Sequence, residues 1–515
     1  MSELLCDSSS QRFRYQTRPP GEEALDSLPR VVTVRSLLRS RSARRLLLVT
    51  LALAALVGGL TLIADTGDGL TTDGRITLVV FMTAVWAWIF TRVDDTYVAL
   101  GAAVALVLTG VLSTDGLFAT LGDDTVWLLL AAFVIAAGVT SSGLATRATA
   151  FIASAARTPR QLVHLLTAAL VVTTFAVPST SGRAALALPI FLCLAKAFAD
   201  RPHLVRTLAL LFPTVILLSA VGSLLGAGAH LVTSEVLLTA TGEGISFVRW
   251  LLLGLPLALV ASHAAAEAVL LMFSGRTERR TGLVLTPQDF SADSPTPVTG
   301  PLSVPESRAA LLLVAVVTMW CSEPLHGIDP AVVALAGALV ATSPRYGSVS
   351  LSKGLKAAPW SLLLFLAATL ALGSALSSSG AAAWLADGLF DGFAGGGAAV
   401  PFLVVIIVVS TAMHLLVQSR SARSSVLVPI VVALSPAVGV DPVAAAFAST
   451  AAAGFCHTLP SSAKPVAIFA RVEDTATFEP RDLLRLSAVL APVSAGLVVV
   501  FSLFVWPLLG LPYLQ

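Results

Sequence analysis

The chain has 515 residues, of which 56% are hydrophobic and only 12% charged, with a mean hydropathy of +0.87. An ordinary soluble domain carries about 25% charged residues, so this composition excludes a soluble protein and describes an all-α, multi-pass protein of the cell membrane. The near balance of 32 Lys+Arg and 30 Asp+Glu gives no sign of a nucleic-acid partner; where the charges fall matters more than their sum.

Residues 1–45 are polar, lack a cleavable signal pattern and are expected to be disordered. They end in the basic run "RSLLRSRSARR", which holds the N-terminus in the cytoplasm. Apolar segments of about 20 residues, the length that crosses the hydrocarbon, then follow one another. They fall at 46–64, 75–91, 96–113, 126–143, 206–240, 246–273, 308–322, 329–343, 358–379, 442–470 and 485–509. Two further apolar blocks, 162–198 and 399–434, are long enough to enter the membrane and return. A polar, proline-rich linker at 274–307 divides the membrane portion into a first half, 46–273, and a second half, 308–515. The four cysteines, Cys6, Cys193, Cys321 and Cys456, have neither disulfide nor metal spacing.

Basic residues decide the path of the two odd blocks. Arg147, Arg157 and Arg160 precede 162–198, and Arg201 and Arg206 follow it, so this block is expected to be a hairpin entered from the cytoplasm. The flanks of 399–434 carry aspartates and no Lys or Arg, so it is expected to enter from outside. Every other basic loop then falls inside, which gives about 11 transmembrane helices and two opposed hairpins, the pattern of an inverted repeat. The residues support the repeat directly. At an offset of 240, Ser179, Ser181, Arg183, Pro189, Ile190 and Leu194 meet Ser419, Ser421, Arg423, Pro429, Ile430 and Leu434.

The hairpin tips carry the chemistry. Irregular backbone at membrane depth is tolerated only inside protein or along a wet cavity. A helix starting at each tip, near Gly182 or Ala422, points the positive end of its dipole there. Arg183, Arg420 and Arg423 add full charges, an arginine at the bilayer centre costing at least about 2.5 kcal/mol without a partner or task. Neither hairpin interior offers an Asp or Glu, so an anionic ligand is the expected counter-charge. The segments after the hairpins are broken at "GSLLGAGAHLV" (222–232) and "GFCHTLPSSAKPV" (454–466), and each break carries a basic group, His230 and Lys464. His457 reads as structural, and Asp123 and Asp124 as a solvated loop.

These residues resemble the divalent anion/sodium symporter family, carriers of succinate, citrate and related carboxylates, within a superfamily that also holds arsenite pumps and sodium/proton antiporters. The family has eleven spans, two opposed hairpins, a Ser-Asn-Thr signature at each tip and a following Leu/Ile-Pro-Ile. Here the tips read Ser179-Thr180-Ser181 and Ser419-Arg420-Ser421, followed by "LPI" at 188–190 and "VPI" at 428–430. The family's Thr-Pro-Pro-Asn-like loops correspond to "GAGAH" (226–230) and "SSAK" (461–464). The resemblance covers about residues 45–510.

The resemblance implies a site built from Ser179, Thr180, Ser181, Gly182, Arg183, His230, Ser419, Arg420, Ser421, Ala422, Arg423, Ser461, Ser462 and Lys464. Thr180, Arg420, His230 and Lys464 replace the asparagines that help hold sodium in the family. A fixed cation a few ångströms from a sodium site repels it by on the order of 4 kcal/mol at an effective dielectric near 20. No cofactor or metal is therefore expected, with sodium disfavoured. "PSTSGR" is similar to the Pro-Ser-Asn-Thr/Ser-Ala-Arg run of the sodium-independent exchanger branch. The expected function is secondary transport of a di- or tricarboxylate by elevator-type alternating access, as a sodium-independent exchange, in a homodimer embedded in lipid. Two alternatives stay open: proton- or sodium-coupled symport of a dicarboxylate or sulfate-like oxyanion, and arsenite or cation antiport. No metal cluster, phosphate loop or nucleophile elbow lies within the spans, so no enzyme is expected.

Overall fold

A computed structural model describes residues 70–514 apart from 92, 285, 287–298, 383, 385–397, 471, 473–474 and 476. The N-terminal tail, the first expected span at 46–64 and the middle of the 274–307 linker lie outside the described residues. Eight described helices are long and apolar enough to cross a membrane. No β-strand is found among the described residues beyond one isolated bridge, Val440 with Leu514. The protein is thus an all-helical, multi-pass membrane protein.

Local sequence explains where the helices begin. Helices α1 (Thr72–Phe90) and α2 (Asp95–Leu108) start behind Thr71 and Asp94, whose side chains accept the free N–H groups of the first turn. Asp123 does the same for α3 (Asp124–Ser142), which ends at Gly143 in the left-handed conformation that glycine adopts without a Cβ penalty. Asp123 is therefore a helix cap rather than a simply solvated loop residue. Helix α4 (Leu144–Ser154) leads to the first of the two odd blocks.

That block is two helices of 18 residues each, α5 (Pro159–Ala176) and α6 (Thr180–Ala197), parted at Val177–Pro178–Ser179. The expected break in the next segment is also present. Helix α7 (Pro202–Leu218) gives way to short 3-10 turns at Ser219–Gly222 and Leu224–Gly226 before α8 (Gly228–Thr241) resumes. Gly226 is required there, because a Cβ would lie 2.0 Å from the Ala220 carbonyl oxygen. The first half closes with α9 (Phe247–Phe273).

The second half runs through α10 (Val304–Cys321), α11 (Pro330–Ala341), α12 (Leu351–Ala357) and α13 (Trp360–Ser378). Helices α14 (Ala399–Ala412) and α15 (Arg420–Leu434) form the second odd block, parted around 413–419. Helix α16 (Pro442–Ala452) is separated from α17 (Lys464–Ala470) by the second break, and α18 (Pro480–Val500) follows.

A helix that is apolar all round belongs inside a bundle. In the most apolar 18 residues of Pro202–Gly222, the stretch containing α7, 94% of positions are buried, whereas in Val304–Cys321, α10, only 22% are, and most of its apolar surface turns outward. Around α7 the rings of Phe191 (α6), Phe212 (α7) and Phe469 (α17) meet pairwise at 5.5–5.8 Å. This aromatic knot locks the first odd block, the first broken helix and the helix after the second break into one packed group. Helix α2 packs along α1 and α13, and α8 packs against α15, α13 and α16.

Candidate substrate site

Six helices begin at the wall of one cavity of about 370 Å³. Its lining includes Asp95 of α2, Ser179, Thr180 and Ser181 at the start of α6, and Ala227 and Gly228 at the start of α8. Ser361 and Leu362 at the start of α13, Ser419, Arg420 and Ser421 at the start of α15, and Lys464 of α17 complete the six. The first N–H groups of a helix lack intrahelical partners and carry roughly half a positive charge between them, so six converging starts make an anion-attracting chamber. The volume lies within the usual range of about 300–1,000 Å³ for small-ligand sites.

The two tips are built alike. Ser179 is extended (φ −156°, ψ 128°), and its hydroxyl oxygen accepts the Gly182 N–H at 3.3 Å. The Ser419 hydroxyl accepts the Ala422 N–H at 3.3 Å. A serine that accepts through its oxygen still has its O–H to donate, and both residues line the chamber. The tips are brought close through the first break: a Cβ on Gly228 would lie 3.1 Å from the Ser421 hydroxyl oxygen.

The structure separates the basic residues that the sequence grouped together. Arg420 and Lys464 line the chamber. The Arg420 guanidinium lies over Gly454, where a Cβ would come within 3.0 Å of Nη2. All three of its nitrogens are buried and have no hydrogen-bond partner among the described residues. Arg183, by contrast, does not line the chamber, and each of its guanidinium nitrogens is hydrogen-bonded. Its Nε donates to Thr173 Oγ1 at 2.9 Å, Nη1 to the Ile216 carbonyl at 3.0 Å, and Nη2 to the Leu170 carbonyl at 2.6 Å and Ser219 Oγ at 2.7 Å. The expectation that Arg183 grips an anion is corrected: it is a staple between α5, α6 and α7.

Arg423, the repeat mate of Arg183, is completely buried and does not line the chamber, and its guanidinium has no hydrogen-bond partner among the described residues. His230 is likewise not in the chamber wall. Its Nδ1 meets the Ser223 carbonyl at 2.9 Å and its ring stacks on Trp250 at 4.8 Å, so it holds the first break in shape. His230 and Lys464 therefore do different jobs at their two breaks. Ser461 and Ser462 line the chamber, although Ser462 Oγ already accepts the Leu459 N–H at 3.0 Å. Gly182 lines a second, larger cavity of about 810 Å³ along α3, α6 and α12, which shares Ser179, Ser181 and Pro359 with the chamber. Ala422 is buried.

Sequence reasoning missed Asp95. It sits between two spans beside Asp94, where a pair of aspartates reads as a loop, yet only Asp94 caps the helix. Asp95 lines the chamber together with Ser419, Arg420 and Lys464. No other acidic side chain is among the chamber's lining residues.

Comparison with known proteins decides the family. The model of the sodium:sulfate symporter transmembrane region matches residues 45–511, nearly the whole chain. The chain belongs to this family, the divalent anion/sodium symporters. A membrane protein of Cupriavidus necator is 24% identical over 472 residues, covering 86% of this chain and 89% of the relative. The sodium-dependent dicarboxylate transporter SdcS of Staphylococcus saprophyticus is 22% identical over 451 residues, covering 82% of this chain and 84% of the relative. Among solved structures, the Alcanivorax borkumensis YdaH transporter superposes with a TM-score of 0.50 at 14% identity, over 86% of this chain and all of that one. At that identity the likeness concerns the fold alone.

Proposed function

We propose that this family member carries a small organic dianion, of the dicarboxylate class, across the membrane. The observation that supports this most strongly is the chamber itself. Six helix starts, the hydroxyls of Ser179, Thr180, Ser181, Ser419 and Ser421, and the side chains of Arg420 and Lys464 converge on about 370 Å³. One carboxylate of the passenger takes the serine hydroxyls and N–H groups of a tip, and the other meets Arg420 and Lys464 with charge-assisted hydrogen bonds. Arg183, Arg423 and His230 act behind this surface, shaping it rather than touching the passenger. The SdcS relatives are named as dicarboxylate transporters, which agrees with this class.

The two odd blocks are re-entrant hairpins of an inverted repeat in this reading, entering from opposite sides and meeting at the chamber. The larger cavity beside α6, which includes Lys353 and shares Ser179 and Ser181 with the chamber, is the route toward the cytoplasm. The group knotted by Phe191, Phe212 and Phe469 moves as an elevator against α2, α3, α11 and α13, in a homodimer. Transport is exchange, because two fixed cations supply the charge that sodium otherwise brings, and a guanidinium at the second tip repels a nearby cation.

A second reading, sodium-coupled symport, is favoured by the printed names of the Staphylococcus relatives. Proteoliposomes decide between them. Uptake of labelled succinate driven by internal unlabelled succinate, without sodium on either side, is expected for exchange. Uptake into anion-free vesicles that requires an inward sodium gradient supports symport and overturns exchange.

A further inference from the structure

Outside the chamber, α5 and α9 bring two histidines together. His164 of α5 faces His263 of α9, Nδ1 to Nδ1 at 2.9 Å. The ring centroids lie 5.1 Å apart, farther than the nitrogens by about the width of one imidazole, and the planes are 26° from parallel, so the rings meet edge to edge. On its other side His164 meets a carboxylate. Its Nε2 lies 2.6 Å from Glu267 Oε1, which also accepts the Arg160 Nε–H at 2.9 Å. Glu267 stands four residues after His263, on the same face of α9.

These contacts fix the protons. An ionised carboxylate only accepts, so His164 Nε2 carries an N–H. In the neutral ring His164 Nδ1 is then an acceptor, and the hydrogen between the rings belongs to His263. A neutral histidine can carry its one proton on either nitrogen. With the His263 proton on Nε2, two lone pairs face each other, and only a cation bridges them.

We propose that His164 Nδ1 and His263 Nδ1 ligate a divalent metal ion of the zinc class, with Glu267 as the carboxylate that orients His164. Neither histidine lines the chamber, and the proposal does not depend on the transport reading. Imidazole nitrogens suit zinc, copper or nickel, whereas magnesium and calcium take oxygen ligands. Ligating histidines regularly donate their other N–H to a carboxylate, which fixes the ring and strengthens the ligand, and the His164–Glu267 contact supplies that arm. Zinc–nitrogen bonds of about 2.0–2.1 Å at a tetrahedral angle place the two nitrogens about 3.3 Å apart. That is a few tenths of an ångström beyond their present separation, and a small turn of both rings about their soft terminal torsions achieves it. Water takes the remaining positions, the side chains of His164 and Glu267 being 30% and 29% exposed. The His263 proton passes from Nδ1 to Nε2, so the neutral pair binds the ion without losing a proton. Helix α5 ends three residues before Ser179, so a metal joining it to α9 anchors the base of the first tip.

The test uses the purified full chain without a histidine tag. Zinc binding is measured at neutral pH by competition with a chromophoric chelator, for wild type, His164→Gln, His263→Gln and Glu267→Gln. Expected are one zinc per chain in wild type, an affinity lower by at least about fivefold in each histidine variant, weaker binding in Glu267→Gln, and no displacement of zinc by an equal concentration of magnesium. X-ray absorption of the zinc-loaded wild type is expected to show histidine nitrogens and no sulfur bound to the metal, a readout that holds even where a variant fails to fold. A smaller loss in either folded histidine variant, sulfur among the ligands, displacement by magnesium, or a wild-type chain that takes up no zinc overturns the site and leaves the His164–His263 contact a hydrogen bond alone.

Discussion

The Arg183 guanidinium donates to the Ile216 carbonyl at 3.0 Å, pinning the first turn of α6 to the last turn of α7. Its repeat mate Arg423 is equally buried yet has no such partner among the described residues. One symmetric pair in the sequence has become a satisfied staple on one side and an uncompensated charge on the other. The chamber lies in front of both, its own cations being Arg420 and Lys464.

Loss of the Arg183 staple is expected to cost stability. Arg183→Met leaves the Leu170 and Ile216 carbonyls and the Thr173 and Ser219 hydroxyls without this donor, a loss of about 3 kcal/mol or more at buried positions. Thermal unfolding in detergent should show a clear drop. Arg183→Lys should recover only part of it, since an ammonium cannot span the fork.

The same change at Arg423 should behave oppositely. A buried guanidinium with no bonds to lose is a burden that an apolar side chain relieves, so Arg423→Met is expected to be neutral or stabilising in the same assay. A drop as large as that of Arg183→Met would show that the two arginines are equivalent after all.

Lys464→Gln keeps a polar side chain, one atom shorter, but removes one chamber cation. Succinate affinity, measured by calorimetry, should fall by about tenfold or more, while butyrate affinity falls less, because in the proposed site the lost cation is the partner of a second carboxylate. Thermal stability without ligand should change little.

Gly226→Ala tests the shape of the first break. A Cβ there meets the Ala220 carbonyl at 2.0 Å, and backbone must move to admit it. Strain of about 1–3 kcal/mol is expected, with weaker succinate binding, because α8 and its Gly228 start are displaced from the Ser421 tip.

Much of this arrangement was legible in the residues. The break at Pro178 and Ser179, the glycine-rich turn before His230 and the polar stretch before Lys464 fall where proline, glycine and capping serines stop a helix. Ser179, Ser181, Ser419, Ser421, Arg420 and Lys464 do share one cavity. Side-chain direction was not legible. Arg183 lies four residues after its cap Ser179 and Arg420 one residue after its cap Ser419, and one turn of helix decides whether a guanidinium faces carbonyls behind or the chamber in front. Asp95 escaped notice for another reason: it reaches the chamber from an element 324 positions before the Ser419 tip (419 − 95), and only tertiary packing brings both to one cavity.

The central claim is that fixed cations and serine hydroxyls at two facing tips hold a dianion without help from sodium. The most direct measurement is a succinate binding isotherm on the purified protein in choline and in sodium buffer, for wild type and for the double variant Arg420→Gln/Lys464→Gln. Expected is equal wild-type affinity in the two buffers and at least a hundredfold loss in the double variant. Wild-type binding that appears only with sodium, or a double variant that binds as wild type does, would contradict it.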